Sequence, residues 1–216
     1  MTDKISFLKK TETGVITDAL ENLKIGSWTR KIHPTNPEMK LSGRAVTVRF
    51  EYVNKPSASS FRGMFDVIGR CSAGYVLIIA ASDKGAMLGE HVIHAAINKG
   101  LSGLVSDGMF RDFLSISRMN FPTFCSGAEA LHAPKNFKVV EMNGPITCGG
   151  MVVNPGDYIV GDYDGVIAIP ADRIDDMIYQ AEKIIEAEEL LLTSLNDNCD
   201  MEKCISLAKE KSTLRT

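Results

Sequence analysis

No run of apolar residues in this 216-residue chain is long enough to span a bilayer. The densest stretch, residues 74–81, falls far short of the roughly 20 residues a membrane helix needs and reads as a buried strand. No dense cluster of lysine and arginine occurs either. The formal net charge is −3 and the isoelectric point near 5.8, without the basic face that binds nucleic acid. A small anionic substrate needs one or two local cations, and the charge balance leaves room for that. Walker A and Gly-x-Gly-x-x-Gly patterns are both missing, so no nucleotide cofactor is expected. Also missing is His-Glu-x-x-His: His91 and His94 stand three apart with Glu90 outside them, which argues against zinc. His33 and His132 stand alone and read as solvated rather than as ligands. Five cysteines are present, Cys71, Cys125, Cys148, Cys199 and Cys204, with no Cys-x-x-Cys pair and no nucleophile triad. The N-terminus MTDKISFLKK lacks the apolar core of a secretion signal. The expectation is five reduced thiols in a cytoplasmic protein.

The length suits one large domain, and no internal repeat or low-complexity segment divides it. Residues 13–23 read as a short helix, and 26–41 as loop. Residues 43–50 (GRAVTVRF) alternate and are β-branched, so they read as a strand. A polar turn follows at 54–62, then a short helix at 64–70. The continuous apolar run at 75–80 suits a central strand covered on both faces. A helix over 88–99 stops at Gly100. Further strands are read at 103–106, 121–125 and 138–142. Three more, 151–153, 158–160 and 166–169, are expected to be antiparallel neighbours across Asn-Pro-Gly-Asp and Asp-Tyr-Asp-Gly turns. A long helix covers 170–195. Its apolar positions Ile178, Ala181, Ile185, Leu192 and Leu195 form a narrow seam interrupted at Glu188. The fold class is therefore mixed α/β, with strand–helix–strand units followed by a β-rich section.

Two segments carry chemistry. In 85–94 (GAMLGEHVIH), glycines flank a turn between a strand and a helix. The first amides of such a helix lack partners and favour an anion, so a carboxylate can sit against His91 and Val92, beside Gly89. The same turn also serves as a plain structural device. In 106–112 (SDGMFRD), an Asp-Gly turn closes a buried strand and Arg111–Asp112 follows. Arginine offers a fork for a carboxylate, and aspartate offers a hard oxygen ligand for Mg²⁺ or Mn²⁺. A surface ion pair or an Asx-turn is the alternative.

The spacing of these segments resembles one family. Twenty residues separate Glu90 from Arg111–Asp112. This is similar to the acidic-x20-Arg-Asp pattern of the metal-dependent aldolases in the RraA-like family. The likeness continues in TDAL (17–20), LSGRAVTV (41–48), GLSGLVSDG (100–108), FPTF (121–124), Gly149–Gly150, PGD (155–157) and GDYDGVIAIP (161–170). It implies a swivelling β/β/α-type core with a long C-terminal helix, a single domain over residues 1–195, and a tail at 196–216. It implies Asp112 as metal ligand for Mg²⁺ or Mn²⁺. Glu90 would hold metal-bound water, and Arg111 would grip a substrate carboxylate, helped by the turn at Gly89, His91 and Val92. It also implies a glutamate from a neighbouring subunit's C-terminal helix. Glu188 is the candidate and Glu186 the runner-up, within a homotrimer or homohexamer. Glu188 at the seam's edge, simply reaching solvent, is the alternative.

The implied reaction is cleavage of a 4-hydroxy-2-oxo diacid, such as 4-hydroxy-4-methyl-2-oxoglutarate, to pyruvate and a second 2-keto acid. Oxaloacetate decarboxylation should accompany it. The chain has no lysine at an obvious apolar strand end, which weakens a Schiff-base route. Departures from the family are SAGY at 72–75 and the lack of an acidic residue just after Asp112. The rival function is a non-catalytic, protein-binding regulator of ribonuclease activity, since the family also contains such a member. No nucleic acid and no membrane are expected as partners.

Overall fold

The computed structural model describes residues 3–55, 59–81, 84, 86–196 and 200–213. It forms two compact units: residues 1–26 with 172–216, and residues 27–171.

The first unit opens with two helices, α1 (Lys4–Lys10) and α2 (Thr13–Asn22). Asp3 caps α1 by accepting the Ile5 N–H at 3.3 Å, and Lys9 and Lys10 end it, matching the helix dipole. In α2, Ile16, Ala19 and Leu20 share one face at helical spacing and are buried.

The second unit opens with the two-residue strands β1 (Ser27–Trp28) and β2 (His33–Pro34), inside the stretch expected to be loop. The long β3 (Leu41–Tyr52) follows, then α3 (Ser59–Arg70), β4 (Tyr75–Ala80), β5 (Ala86–Leu88) and α4 (Glu90–Lys99). Gly100 ends α4 in the left-handed conformation at φ 77°, which glycine adopts without a Cβ clash. Next come β6 (Gly103–Ser106), β7 (Met109–Phe110), α5 (Phe113–Ser117), β8 (Thr123–Cys125) and β9 (Gly127–Ala128). The unit closes with β10 (Phe137–Met142), β11 (Ile146–Cys148), β12 (Met151–Val153), β13 (Tyr158–Asp162) and β14 (Gly165–Ile169).

Among the described residues, nine of these strands form the main sheet, in the order β1-β14-β13-β3-β4-β6-β8-β2, with β10 on the far part of β3. Its centre, β3-β4-β6-β8, is parallel, and β13, β14, β1, β2 and β10 join antiparallel. The apolar run in β4 follows from burial on both faces. Leu77 and Ile79 pack into a core with Val92, Ile93 and Ala96 of α4 and Val67 and Ile68 of α3. Val76 and Ile78 point the other way, to Ile146, Met151, Ile159 and Val166. The expected antiparallel trio is corrected in one member. β13 and β14 pair as read, but β12 pairs with β11, across a turn in which Gly149 and Gly150 have φ of 56° and 85°. A two-glycine turn with positive φ at both positions suits a tight hairpin, and it captures β12.

The three parallel strands β4, β6 and β8 each run on into a short strand at their C-terminal ends. These continuations, β5, β7 and β9, pair in parallel in that same order as a second small sheet. Loops at this edge of a parallel sheet are where α/β proteins build sites.

The first unit resumes with α6 (Ile174–Asn196) and α7 (Met201–Thr213). The expected seam on α6 is corrected. Its buried residues are Ile174, Met177, Ala181 and Ile184, with Ser194 further on, whereas Leu192 and Leu195 are 60% and 48% exposed. The row 174-177-181-184 keeps strict i+3/i+4 spacing and faces the packed side, where α2 contacts α6. Glu188 is the next residue on that row and is half-buried; Glu186 is exposed. The expectation of five reduced thiols is also corrected. Cys71, Cys125 and Cys148 are free and buried, but Cys204, buried on α7, is disulfide-bonded, its partner lying outside the described residues. Cys-x-x-Cys spacing is a poor guide here, because a disulfide needs only two Cβ atoms brought close by the fold. No helix among the described residues is long and apolar enough to cross a membrane.

Candidate active site

The site is built where β5 and β7 end. The Arg111 N–H donates to the Leu88 carbonyl at 2.9 Å, which pins the end of β7 to the end of β5. Gly89 and Glu90 then face Arg111 and Asp112. The register of two short strands thus brings together residues 22 positions apart.

Asp112 is one of four non-glycine residues with positive φ among the described ones, with Lys24, Lys31 and Asn143, and the one that lies in the site. It begins α5 with φ 58° and ψ 29°, a left-handed conformation uncommon for a residue with a side chain. An aspartate at that position normally caps its own helix, yet its side chain makes no capping bond to α5. Instead Oδ2 accepts the Glu90 N–H at 3.3 Å and lies 3.5 Å from Arg111 Nε. The carboxylate has been turned away from its own helix and into the site. Strained backbone of this kind clusters at functional positions.

Gly89 makes that approach possible. A Cβ built on it would lie 2.5 Å from Asp112 Oδ2 and 3.2 Å from both Cγ and Nε of Arg111. Any side chain here fills the space in which the two charged groups meet. Its φ is −145°, so glycine is required by the close approach and not by the backbone angle.

Arg111 Nε meets Asp112 as an ion pair at 3.5 Å. That nitrogen is shut off from solvent and makes no hydrogen bond of good geometry, although the side chain as a whole is 39% exposed. Phe110, Arg111, Asp112 and Phe113 line a cleft of about 450 Å³ together with Ala128, Glu129 and Ala130. That cleft has room for a small keto acid.

The remaining expected residues fall as follows. Glu90 is half-buried, at the first position of α4, and His91 is largely exposed with Nε2 4.0 Å from Glu90 Oε1. Val92 is buried in the core, and its N–H turns back to the Gly89 carbonyl at 3.1 Å. Gly85, read as the first glycine of the turn, lies outside the described residues. Glu188 and Glu186 belong to α6, in the other compact unit.

A hard divalent cation suits this donor set. Asp112 supplies an anionic oxygen, held by the Glu90 backbone N–H, while no group of three or more His, Cys, Asp or Glu poised around one point occurs among the described residues. Mg²⁺ and Mn²⁺ are commonly held by one or two carboxylates and several waters, whereas structural zinc takes four protein ligands. The space a Gly89 Cβ would fill, against Asp112 Oδ2, keeps that oxygen open.

One residue of this neighbourhood escaped the sequence reading. His132, expected to be solvated, is half-buried, forms a parallel bridge with Ala86 of β5, and feels the charges of Arg111 and Asp112. Its pairing is long-range, and nothing in the neighbouring sequence announces it.

The chain matches the RraA-like family, described as Aldolase/RraA, over residues 13–168. It belongs to that family. A Halalkalibacterium halodurans protein named "Putative 4-hydroxy-4-methyl-2-oxoglutarate aldolase" is 33% identical over 200 residues, covering 91% of this chain and 90% of that protein. Among solved structures, an uncharacterized protein from Pseudomonas syringae pv. tomato superposes with a TM-score of 0.82 at 22% identity, covering 94% of this chain and 97% of that one. Streptomyces coelicolor RraAS2, described as an unusual member of the RNase ES inhibitor RraA protein family, superposes with a TM-score of 0.77 at 23% identity, covering 88% and 96%. At such identities these two likenesses concern the RraA-like fold.

Proposed function

We propose that this RraA-like chain is a divalent-metal-dependent aldolase. It cleaves a 4-hydroxy-2-oxo diacid, such as 4-hydroxy-4-methyl-2-oxoglutarate, to pyruvate and a second 2-keto acid, and it decarboxylates oxaloacetate as a side reaction. The observation that carries this reading is the Asp112 carboxylate, released from capping α5 and set between Arg111 Nε and the Glu90 amide. The aldolase name of the relative that spans most of the chain supports it.

Each residue then has a part. Asp112 holds the cation, and Glu90 orients water beside it. Arg111, whose side chain is partly exposed, grips the carboxylate of the pyruvyl end. The His91 N–H, in the first turn of α4, favours the same anion. When bound, Mg²⁺ or Mn²⁺ supplies a Lewis acid for the negative charge that develops on the pyruvyl fragment. In the cleavage the C3–C4 bond breaks, its electron pair stays on C3, and C3 then takes a proton from water in the site to become the methyl group of pyruvate. The C4 hydroxyl loses its proton to water held in the site, and C4 becomes a carbonyl carbon. Oxaloacetate decarboxylation leaves the same C3 carbanion, with carbon dioxide departing in place of the keto acid. Glu188 of a second copy completes the site by holding another water, which makes a homotrimer or a homohexamer the active form. Glu188 continues the buried row of α6 and is half-buried, a placement that suits a carboxylate at a contact surface.

The test is pyruvate release from 4-hydroxy-4-methyl-2-oxoglutarate, measured with enzyme stripped by EDTA and then given Mg²⁺ or Mn²⁺. Activity lost with EDTA and restored by metal is expected. Release that EDTA leaves unchanged refutes the metal-dependent reading. The RraAS2 likeness raises a second reading, protein-binding regulation of a ribonuclease. That reading has no use for the Gly89–Arg111–Asp112 arrangement.

A further inference from the structure

We propose that Glu129 is a further proton-transfer residue of this site: its carboxylate takes up the proton that the C4 hydroxyl of the substrate gives to the site water, and returns it through water to C3. The inference rests on the aldolase reading and assigns the proton acceptor that this reading leaves to unaided water.

Strand register carries it first. In the small sheet β5, β7 and β9 run parallel, with Phe110 level with Ala128. The residues that follow the three strands are Gly89, Arg111 and Glu129. The same bond ties the last two to their neighbours: the Arg111 N–H donates to the Leu88 carbonyl and the Glu129 N–H to the Phe110 carbonyl, both at 2.9 Å. Glu129 therefore stands next to Arg111 on one sheet edge, with backbones about 4.8 Å apart. Residues level with each other in parallel strands point to the same face, and Glu129 lines the cleft together with Arg111 and Asp112.

The charges of the cleft carry it second. Its ionisable lining residues are Arg111, Asp112 and Glu129, and the rest of its lining is phenylalanine and alanine. Arg111 Nε stands 3.5 Å from Asp112 Oδ2, which also accepts the Glu90 N–H. Asp112 is thus committed to Arg111 and to the cation. Glu129 makes no ion pair among the described residues. Its Oε1 accepts the Leu131 N–H at 3.0 Å, which holds the side chain in place, and the residue is exposed, so Oε2 meets water. Glu129 is the carboxylate of the cleft left to accept a proton.

The proton count closes. In the cleavage the C4 O–H bond breaks and its electron pair becomes the second bond of the C4 carbonyl, while the C3–C4 pair stays on C3. Water passes the hydroxyl proton to Glu129 Oε2, and a proton returns from there through water to C3, so the carboxylate ends as it began. Oxaloacetate loses carbon dioxide from a carboxylate that is already ionised, and that reaction needs no acceptor.

The experiment turns on Glu129→Gln, whose amide oxygen still accepts the Leu131 N–H but whose side chain takes up no further proton. The kcat/KM for cleaving 4-hydroxy-4-methyl-2-oxoglutarate and that for decarboxylating oxaloacetate are measured at saturating Mg²⁺ in wild type, Glu129→Gln and Glu129→Ala, with folding checked by thermal melting. Glu129→Gln should lose roughly tenfold or more in cleavage relative to decarboxylation, and Glu129→Ala the same. A Glu129→Gln protein with the wild-type ratio overturns the proposal and leaves Glu129 the turn-stabilising residue that its bond to Leu131 makes it. An equal fall in both reactions overturns it as well. Should Glu129→Gln fail to fold, the ratio in Glu129→Ala decides by the same criterion. Wild-type protein that does not cleave the hydroxy acid sinks the aldolase reading itself, an outcome distinct from the others.

Discussion

Gly89→Ala tests the geometry of the site with a single methyl group. The added Cβ would stand 2.5 Å from Asp112 Oδ2. Close carbon–oxygen contacts settle at about 3.3–3.6 Å, so the carboxylate must retreat by roughly 0.8 Å or more. Retreat toward Arg111 is obstructed, since that Cβ also meets Arg111 Cγ and Nε at 3.2 Å. Both charged groups therefore shift together. A misplacement of about 1 Å in positioning groups costs on the order of 10²-fold in rate, or about 2.7 kcal/mol of barrier. Stability should change less than activity, because φ at Gly89 is −145°, which alanine adopts freely. The assay is pyruvate release at saturating Mg²⁺ together with thermal melting. A folded Gly89→Ala protein with wild-type kcat/KM would refute the reasoning, since it would show that the space between Gly89 and Asp112 has no part in catalysis.

Three further outcomes are expected. Arg111→Lys keeps the charge and loses the planar fork, so kcat/KM should fall about tenfold or more, roughly 1.4 kcal/mol, and an unchanged value would remove Arg111 from carboxylate binding. Cys125 is pushed up to about 11 by burial, and Cys71 and Cys148 are raised chiefly by burial as well. A raised thiol pKa means less thiolate, so at pH 8 these three should resist alkylation in the native protein and react on unfolding, as counted by mass spectrometry; rapid native labelling would contradict the burial described. Mixing inactive Asp112→Ala and Glu188→Ala proteins after dissociation and reassembly should restore part of the activity, and proven subunit exchange without recovery would remove Glu188 from the site.

The parts of the fold that sequence reveals are those governed by local pattern. β4 is legible because a strand covered on both faces must be apolar throughout, and α4 because Gly100 marks its end. The two-residue strands β1, β2, β7 and β9 are not legible, since two residues carry no periodicity. On α6 the leucines misled. Leu192 and Leu195 are exposed, while Met177 and Ile184 form the buried row, because which face is covered depends on what lies opposite. At the site, Arg111 and Asp112 were readable as residue types at a telling spacing, and the close approach of Gly89 followed from neither. The left-handed backbone of Asp112 and the return of His132 to β5 are products of long-range pairing. Neither leaves a trace in the nearby sequence.

Asp112 is the proposed metal ligand on which turnover depends. Mn²⁺ binding and pyruvate release should be followed in the same titration, for wild type and for Asp112→Ala of equal thermal stability. The account predicts that pyruvate release in wild type rises with Mn²⁺ occupancy, and that the variant loses both the binding and the release. An Asp112→Ala protein that binds Mn²⁺ as wild type does, and turns over substrate at the wild-type rate, would contradict it.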